Sequence, residues 1–366
     1  MIKKMLFMLV LAVVLAGCAA PTAAPTAAPT AEPIKAPTAV QTGPAELRVM
    51  VHDSFAVSEN LVADFEKQNN AKVIFIKSGD AGMMLNKAIL TKDAPLADVI
   101  YGFDNALLSR ALSAGLLEPY ASPLLADISE AFKMDAAQSA LPVDFGDVCI
   151  NYDKAYFAEK NLALPQTLDD LLKPEYKGLL VVENPAGSSP GLAFMLVTIA
   201  NYGPEGYLDY WRALKANGVV IAADWETAYY THFSGSSGKG AQPMVVSYGS
   251  SPAAEVIFAS APLKEAPTAS IVTPKTCFRQ VEFAGILKGT AQRALAEKFI
   301  DWMLSTPFQE DLTMQMFVYP VSSRAQLPDA FKQHAQIPAE PAALAPADIS
   351  AGRDAWVEAW VEAILR

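Results

Sequence analysis

From Glu46 to Gly115 the chain alternates strand and helix three times, and this rhythm restricts the fold more than any other feature. Leu47 to His52 alternates apolar and polar side chains with the period of two that a strand needs. Leu61, Val62 and Phe65 then fall at helical spacing within 57–68. Lys72–Ile76 reads as a strand, Ala81–Leu90 as a helix and Ala97–Phe103 as an apolar strand. Asn105–Ala114 reads as a helix that Gly115 ends. Strands and helices alternating at these separations form a mostly parallel sheet with helices on both faces.

A second unit interrupts the first. Pro142–Tyr152 is extended, Thr167–Leu172 a short helix and Gly178–Glu183 an apolar strand. Helices at Leu192–Asn201 and Leu208–Ala216, a strand at Gly218–Ala222, a helix at Trp225–Phe233 and a strand at Pro243–Tyr248 follow. Gln280–Leu287 returns as a strand, followed by amphipathic helices at Gln292–Leu304 and Pro346–Arg366. Trp356, Trp360 and Ile364 share one face of the last helix, expected to dock on the first unit. The expected architecture is an α/β fold of two lobes with a cleft between them. Lobe 1 comprises 47–147 and 283–366, and lobe 2 is the inserted 148–282. Open α/β sheets hold ligands beyond the carboxyl ends of their strands, and two such edges can close by hinge motion.

The N-terminus reads as an export and anchoring device. Lys3 and Lys4 precede an apolar run from Met5 to Ala16 that is too short to cross a bilayer. It ends in Leu15-Ala16-Gly17-Cys18, which resembles a bacterial lipobox; 1–17 is the expected signal peptide and Cys18 the lipidated residue. An ordinary cleaved signal peptide is the alternative. The Pro/Thr/Ala-rich segment 18–46 lacks the apolar bulk to fold and reads as an extended spacer on a membrane anchor. The net charge of -11 argues against nucleic acid and permits a cationic ligand. Outside the cytoplasm Cys149 and Cys277 form either a disulfide or two separate buried thiols.

Four strand-to-loop junctions could carry chemistry: His52–Phe55, Ser78–Gly82, Gly187–Gly191 and Ser247–Pro252. In the last two, serines precede a proline at a helix start. Proline suits the first helical position, serine caps, and the free N–H groups can hold a hydroxyl or an anion. Plain capping is the competing reading. Asp53 and Asp80 could attract a cation or merely cap turns. Trp225 and Tyr248 could stack on a ligand ring or pack in the core. Gly187-Ser188-Ser189-Pro190-Gly191 also fits the Gly-x-Ser-x-Gly nucleophile elbow. Pro190, however, has no N–H for the oxyanion, and His52, His232 and His334 are the only histidines, so no enzyme is expected. Metal binding is not expected either. Tyr229 and Tyr230 should point about 100° apart on a helix, and no Cys/His cluster exists.

These same loops resemble the thiamine-binding proteins of ABC importers. Val51-His52-Asp53-Ser54-Phe55-Ala56 is similar to that family's Tyr-Asp-Ser-Phe-Ala stretch. Ala97-Asp98-Val99 through Asn105, Val143–Gly146, Ser188–Leu192, Asp224–Tyr229, Ser247–Ala253, Tyr319–Val321 and Arg353–Trp356 resemble other family segments, in order, from about 47 to 366. The resemblance implies a type II periplasmic-binding-protein fold, no catalysis, no cofactor, and delivery of thiamine or its phosphates to a permease and its ATPase. The chain is expected to act as a monomer. Carried over position by position, Asp53, Asp80, Ser188, Trp225 and Tyr248 match its ligand-region residues and Phe317 stands where the family often has tryptophan, while Ser54, Ser189, Tyr229 and Ser251 complete the expected ligand-binding set. There are departures: His52 replaces a tyrosine, while Glu59 and Ala254 stand where aromatics are common. Another small solute, such as ferric ion or a polyamine, is the alternative ligand.

Overall fold

The computed structural model describes residues 43–237 and 240–366. The signal peptide, Cys18 and the spacer as far as Thr42 lie outside the described residues. Strand β1 (Ala45–Val51) begins inside the stretch assigned to the spacer. It is followed by α1 (Glu59–Asn69), β2 (Ala71–Lys77), α2 (Ala81–Leu90), β3 (Val99–Asp104), α3 (Leu108–Ser113) and the short β4 (Leu117–Glu118). The long β5 (Leu141–Asp153) leads through α4 (Lys154–Glu159) to β6 (Leu180–Glu183), α5 (Ser189–Ala216) and β7 (Val220–Ala222). Then come α6 (Ser234–Ser237), β8 (Met244–Tyr248), α7 (Ser251–Ile257) and β9 (Thr268–Ile271). The chain returns as β10 (Phe278–Leu287) and finishes with α8 (Arg293–Leu304), α9 (Thr306–Gln315), β11 (Tyr319–Pro320), α10 (Asp329–His334) and α11 (Pro346–Trp360).

The main path of the sheet runs β2-β1-β3-β10-β5-β8-β6-β7. Its two ends are parallel, as the strand–helix rhythm requires, with β1 beside β2 and β3 and with β6 beside β7 and β8. Its middle is antiparallel: β10 pairs with β3 and β5, and β5 with β8. The sheet is therefore mixed rather than mostly parallel. The reversal comes from strands that cross between the two halves of a two-lobed fold. Along β5, 141–148 pairs with β10 and 148–153 with β8 and β9. A disulfide between Cys149 and Cys277 joins β5 to the residue preceding β10, with the Cα atoms 4.3 Å apart.

Period-two alternation places each strand's apolar residues on opposite faces. Leu47, Val49 and Val51 pack with Phe299 and Phe308, while Met50 packs with Leu85 and the α5 side. Gly203 (φ 74°) breaks the long helix α5 just before Pro204, so the two helices expected there are one interrupted element. The tryptophan face of the terminal helix packs on α5 of the inserted unit, while Ser350, Arg353 and Asp354 border α2 and α3 of the first. Trp360 is fully buried edge-on against Trp211 of α5 at 5.1 Å, and Tyr207 donates to the Trp356 carbonyl at 2.8 Å. An apolar face read from sequence says that a helix docks, not on what.

Candidate functional site

Two backbone irregularities shape the ground between the halves. The register of β10 slips against β5 just after Glu282 and against β3 just after Phe283, so Val143 and Gly102 are extra residues on the flanking strands. Such bulges re-aim neighbouring side chains. Gly102 has φ +99°, and a Cβ there would stand 2.3 Å from His52 Cδ2. Only glycine lets the imidazole lie against β3.

Above these bulges is a cavity of about 270 Å³. Its wall comes from stretches far apart in the sequence. The β1 end supplies His52 and Ser54, the start of α2 supplies Asp80, and the α5 N-terminus supplies Ser189 and Pro190. Trp225, Glu226, Tyr229 and Tyr230 come from the segment after β7, Tyr248 from β8, and Ser251, Ala254, Glu255 and Phe258 from α7 and its end. Glu282 of β10 and Gln315–Val318 close it. Of the residues expected at the site, Ser54, Asp80, Ser189, Trp225, Tyr229, Tyr248, Ser251 and Phe317 line this cavity. Asp53 and Ser188 are not in its wall. The Asp53 carboxylate accepts from the Gly79 N–H at 2.8 Å and borders a shallower neighbouring pocket, and Ser188 is buried behind the wall.

The serines do not cap their helices. Neither Ser188 nor Ser250 makes a capping hydrogen bond. Ser189 donates to the buried Asp104 carboxyl and accepts from Gln280 Nε2 at 2.6 Å. Ser251 lies 3.0 Å from Ser247 Oγ, which accepts from Trp225 Nε1 at 2.9 Å. The residue after Ser189 is Pro190, which offers no backbone N–H, and the Ser189 hydroxyl is engaged by Asp104 and Gln280. Ser188 Oγ and Asp80 Oδ2 approach one another, but neither makes a well-aligned bond among the described residues. The Gly82 N–H donates to Gly187 O at 3.1 Å, bringing the start of α2 against the loop before α5.

Six aromatic rings face the cavity: Trp225, Tyr229, Tyr230, Tyr248, Phe258 and Phe317. Trp225 stacks on Tyr229 (5.1 Å, 21°), meets Tyr230 edge-on at 5.5 Å and remains partly exposed. Tyr229 and Tyr230 diverge as expected, one buried and one exposed with their rings near-perpendicular (83°), yet both reach the wall. Tyr229 donates its hydroxyl to Glu255 at 2.8 Å. The aromatic missing at Ala254 is replaced four residues on by Phe258, on the same helix face, which meets Phe317 edge-on at 4.9 Å. Phe317 carries φ 57°, the left-handed region that bulky residues rarely occupy.

The electrostatics are one-sided. Asp80, Glu226, Glu255 and Glu282 line the cavity, and no described lysine or arginine does. Burial pushes Asp80 up to about 6, partly opposed by hydrogen bonds to its carboxylate, and Glu255 up as well. His52 is held down to about 4 by burial and by Lys77, so it contributes no charge at neutral pH. Glu282 and Asp144 touch across β10 and β5, and burial raises both, Asp144 to about 7. Sequence reading missed Glu226, Glu255, Phe258 and Glu282, and named His52 and Tyr230 without placing them among the ligand-binding residues. The one legible clue was a carboxylate inside the otherwise apolar run Val281–Leu287.

Comparison with known proteins gives a consistent picture. Residues 94–341 match the family described as bacterial extracellular solute-binding protein. A thiamine-binding periplasmic protein of Brucella suis is 27% identical over 87% of this chain and 92% of its own length. One of Escherichia coli is 28% identical over 87% and 94%. A solved periplasmic thiamin binding protein superposes with a TM-score of 0.77 at 27% identity, covering 88% of this chain and 97% of its own. A ferric binding protein from Campylobacter jejuni (TM-score 0.70, 17% identity) shares the fold.

Proposed function

This chain belongs to the bacterial extracellular solute-binding proteins, and we propose that the solute it captures is thiamine. The observation that carries the reading is the cavity wall: six aromatic rings and four carboxyl side chains, with no lysine or arginine among the described residues. Such a wall suits a flat aromatic cation. Each ring beneath a cation contributes roughly 0.5–2 kcal/mol, and buried carboxyls need a positive partner. The thiazolium supplies that charge, and Trp225 and Tyr248, both in the wall, supply rings to stack on. The relatives named above, thiamine binders over most of their length, point the same way. The absence of a basic wall residue favours thiamine over its phosphates, and the site works by binding and release without catalysis.

In this reading the lobes are 47–147 with 283–345, and 148–282 carrying α11 on α5. β5 and β10 act as the hinge, and the Cys149–Cys277 bridge stiffens it. Capture occurs outside the cytoplasm, with Cys18 as lipid anchor and the spacer giving reach to an ABC permease whose ATPase supplies the energy. The chain acts as a monomer and itself has no Gly-x-x-x-x-Gly-Lys loop. The test is a tryptophan-fluorescence titration. Thiamine should quench the wild-type signal saturably, and Trp225→Ala should lose that response at least tenfold in affinity while melting as a folded protein. An unquenched wild type, or full affinity in the variant, defeats the assignment.

A further inference from the structure

The aromatic wall has evident partners for a flat ring, but the buried acids at its floor have none. Glu282 is only 7% exposed, and its Oε2 makes no hydrogen bond among the described residues. His52 Nε2, 3.9 Å away, is likewise unpartnered, and that imidazole is neutral. Apart from Lys77, whose charge helps keep His52 neutral and whose ammonium donates to the Asp53 carbonyl at 2.6 Å, the groups whose charge bears on Glu282 are acids and phenols. Asp104 and Tyr101 face it from β3, Asp144 from β5, Asp80 from the start of α2 and Tyr248 from β8. Tyr101 donates its hydroxyl to Asp144, which leaves Asp144 Oδ1 without a partner. The nearest guanidiniums are engaged elsewhere: Arg279 pairs with Asp147, and Arg353 with Asp354.

Two carboxyls in contact, walled off from water and lacking a cation, cannot both be ionised; one keeps its proton. A fixed positive charge placed beside them reverses that balance. A thiazolium is such a charge, because its quaternary nitrogen cannot itself lose a proton.

We propose that Glu282 is the carboxyl that meets the ligand's positive charge, and that capture of the cation expels the proton Glu282 shares with Asp144. This rests on the reading of the solute as a thiamine-type cation. In the step, the carboxyl O–H bond breaks, the proton passes to solvent, and the carboxylate left behind is neutralised by the bound ring. The ligand-free cavity is thereby kept from holding uncompensated charge, and metal-free organic cations gain over neutral rings of the same shape. The linkage also has a sign: binding weakens as pH falls, approaching tenfold per unit once the pair is protonated in the empty protein.

The experiment is titration calorimetry of the intact protein with thiamine at one pH, in phosphate and in Tris, whose ionisation heats differ widely. The expected result is tight binding in both, with a difference in heat that corresponds to about one proton released. Glu282→Gln, which resembles the protonated acid in shape, should bind at least tenfold more weakly and lose the buffer dependence. Binding with identical heats in the two buffers overturns the proposal while leaving the thiamine reading intact. A folded Glu282→Gln variant that still releases the proton overturns the assignment to Glu282. Absence of thiamine binding by the wild type removes the reading and the proposal together. The wild-type comparison needs no variant, so it stands even if Glu282→Gln fails to fold.

Discussion

Phe317 occupies the position just past the C-cap of α9, with its N–H bonded to Leu312 O at 3.1 Å and φ at 57°. Helices commonly end in this conformation, but with glycine. An L side chain there costs roughly 1–2 kcal/mol. The ring repays part of this through its edge-on contact with Phe258, worth about 0.5–1.5 kcal/mol. Two substitutions separate the two terms. Phe317→Ala and Phe317→Gly lose the same ring, but only glycine relieves the strain. Phe317→Gly should therefore be more stable than Phe317→Ala by about 1 kcal/mol, the reverse of their order inside a helix. For a protein of this size that is about 2 °C in melting temperature, readable by calorimetry or urea unfolding. Both variants should bind thiamine roughly 2- to 10-fold more weakly, since both lack the ring. An alanine variant as stable as the glycine variant would refute the strain. Full affinity in either would show that Phe317 is held in its conformation for some purpose other than the ligand.

A Cβ added at Gly82 would stand 2.8 Å from Gly187 O, so Gly82→Val should prop the α2 start away from the α5 loop. Stopped-flow displacement should show thiamine leaving at least several-fold faster, and an unchanged rate would mean that this contact does not hold the closed cavity. The ligand-free protein should also gain stability as pH is lowered from 8 to about 5. Acids whose pKa is raised by folding, Asp144 to about 7 and Asp80 to about 6, stabilise when protonated and lose that contribution as pH climbs through the raised values. For Asp80 alone the effect is about 1.4 kcal/mol by pH 5, half of the roughly 3 kcal/mol reached below pH 4. Below pH 6.5 the buried neutral His52, held down to about 4, works in the opposite sense, because the unfolded chain takes up its proton first. The two acids together outweigh His52 throughout, so melting temperature should rise continuously as pH falls from 8 to 5, with His52 only flattening the slope, and a rise with increasing pH would contradict the buried-acid assignments.

The strand–helix rhythm made the two parallel ends of the sheet legible, since period two and period 3.6 leave clear marks in β1, α2 and β3. Strand direction leaves no such mark, so the antiparallel middle made by β5 and β10 could not be read. The Ser-Pro junctions were visible, yet their role was not. Ser189 and Ser251 bond across to Asp104 and Ser247, partners 85 and 4 residues away that only the folded chain brings close. The sequence offers Tyr230 only as half of a metal-binding pair with Tyr229, and that both neighbours reach one cavity wall depends on how the segment after β7 packs. Asp53 reads as a cleft acid by position but turns its carboxylate to the Gly79 N–H. Glu282 was hidden because acids within apolar strands look like solvent-facing alternation until both faces prove buried.

The most direct test of the account is a crystal structure of the protein with thiamine bound. The account places the ligand in the cavity with an aromatic ring against Trp225 and Tyr248, and its cationic ring within about 6 Å of an aromatic centroid and beside Glu282. Thiamine seated elsewhere, or held with its positive ring turned to solvent and away from Glu282, would contradict it.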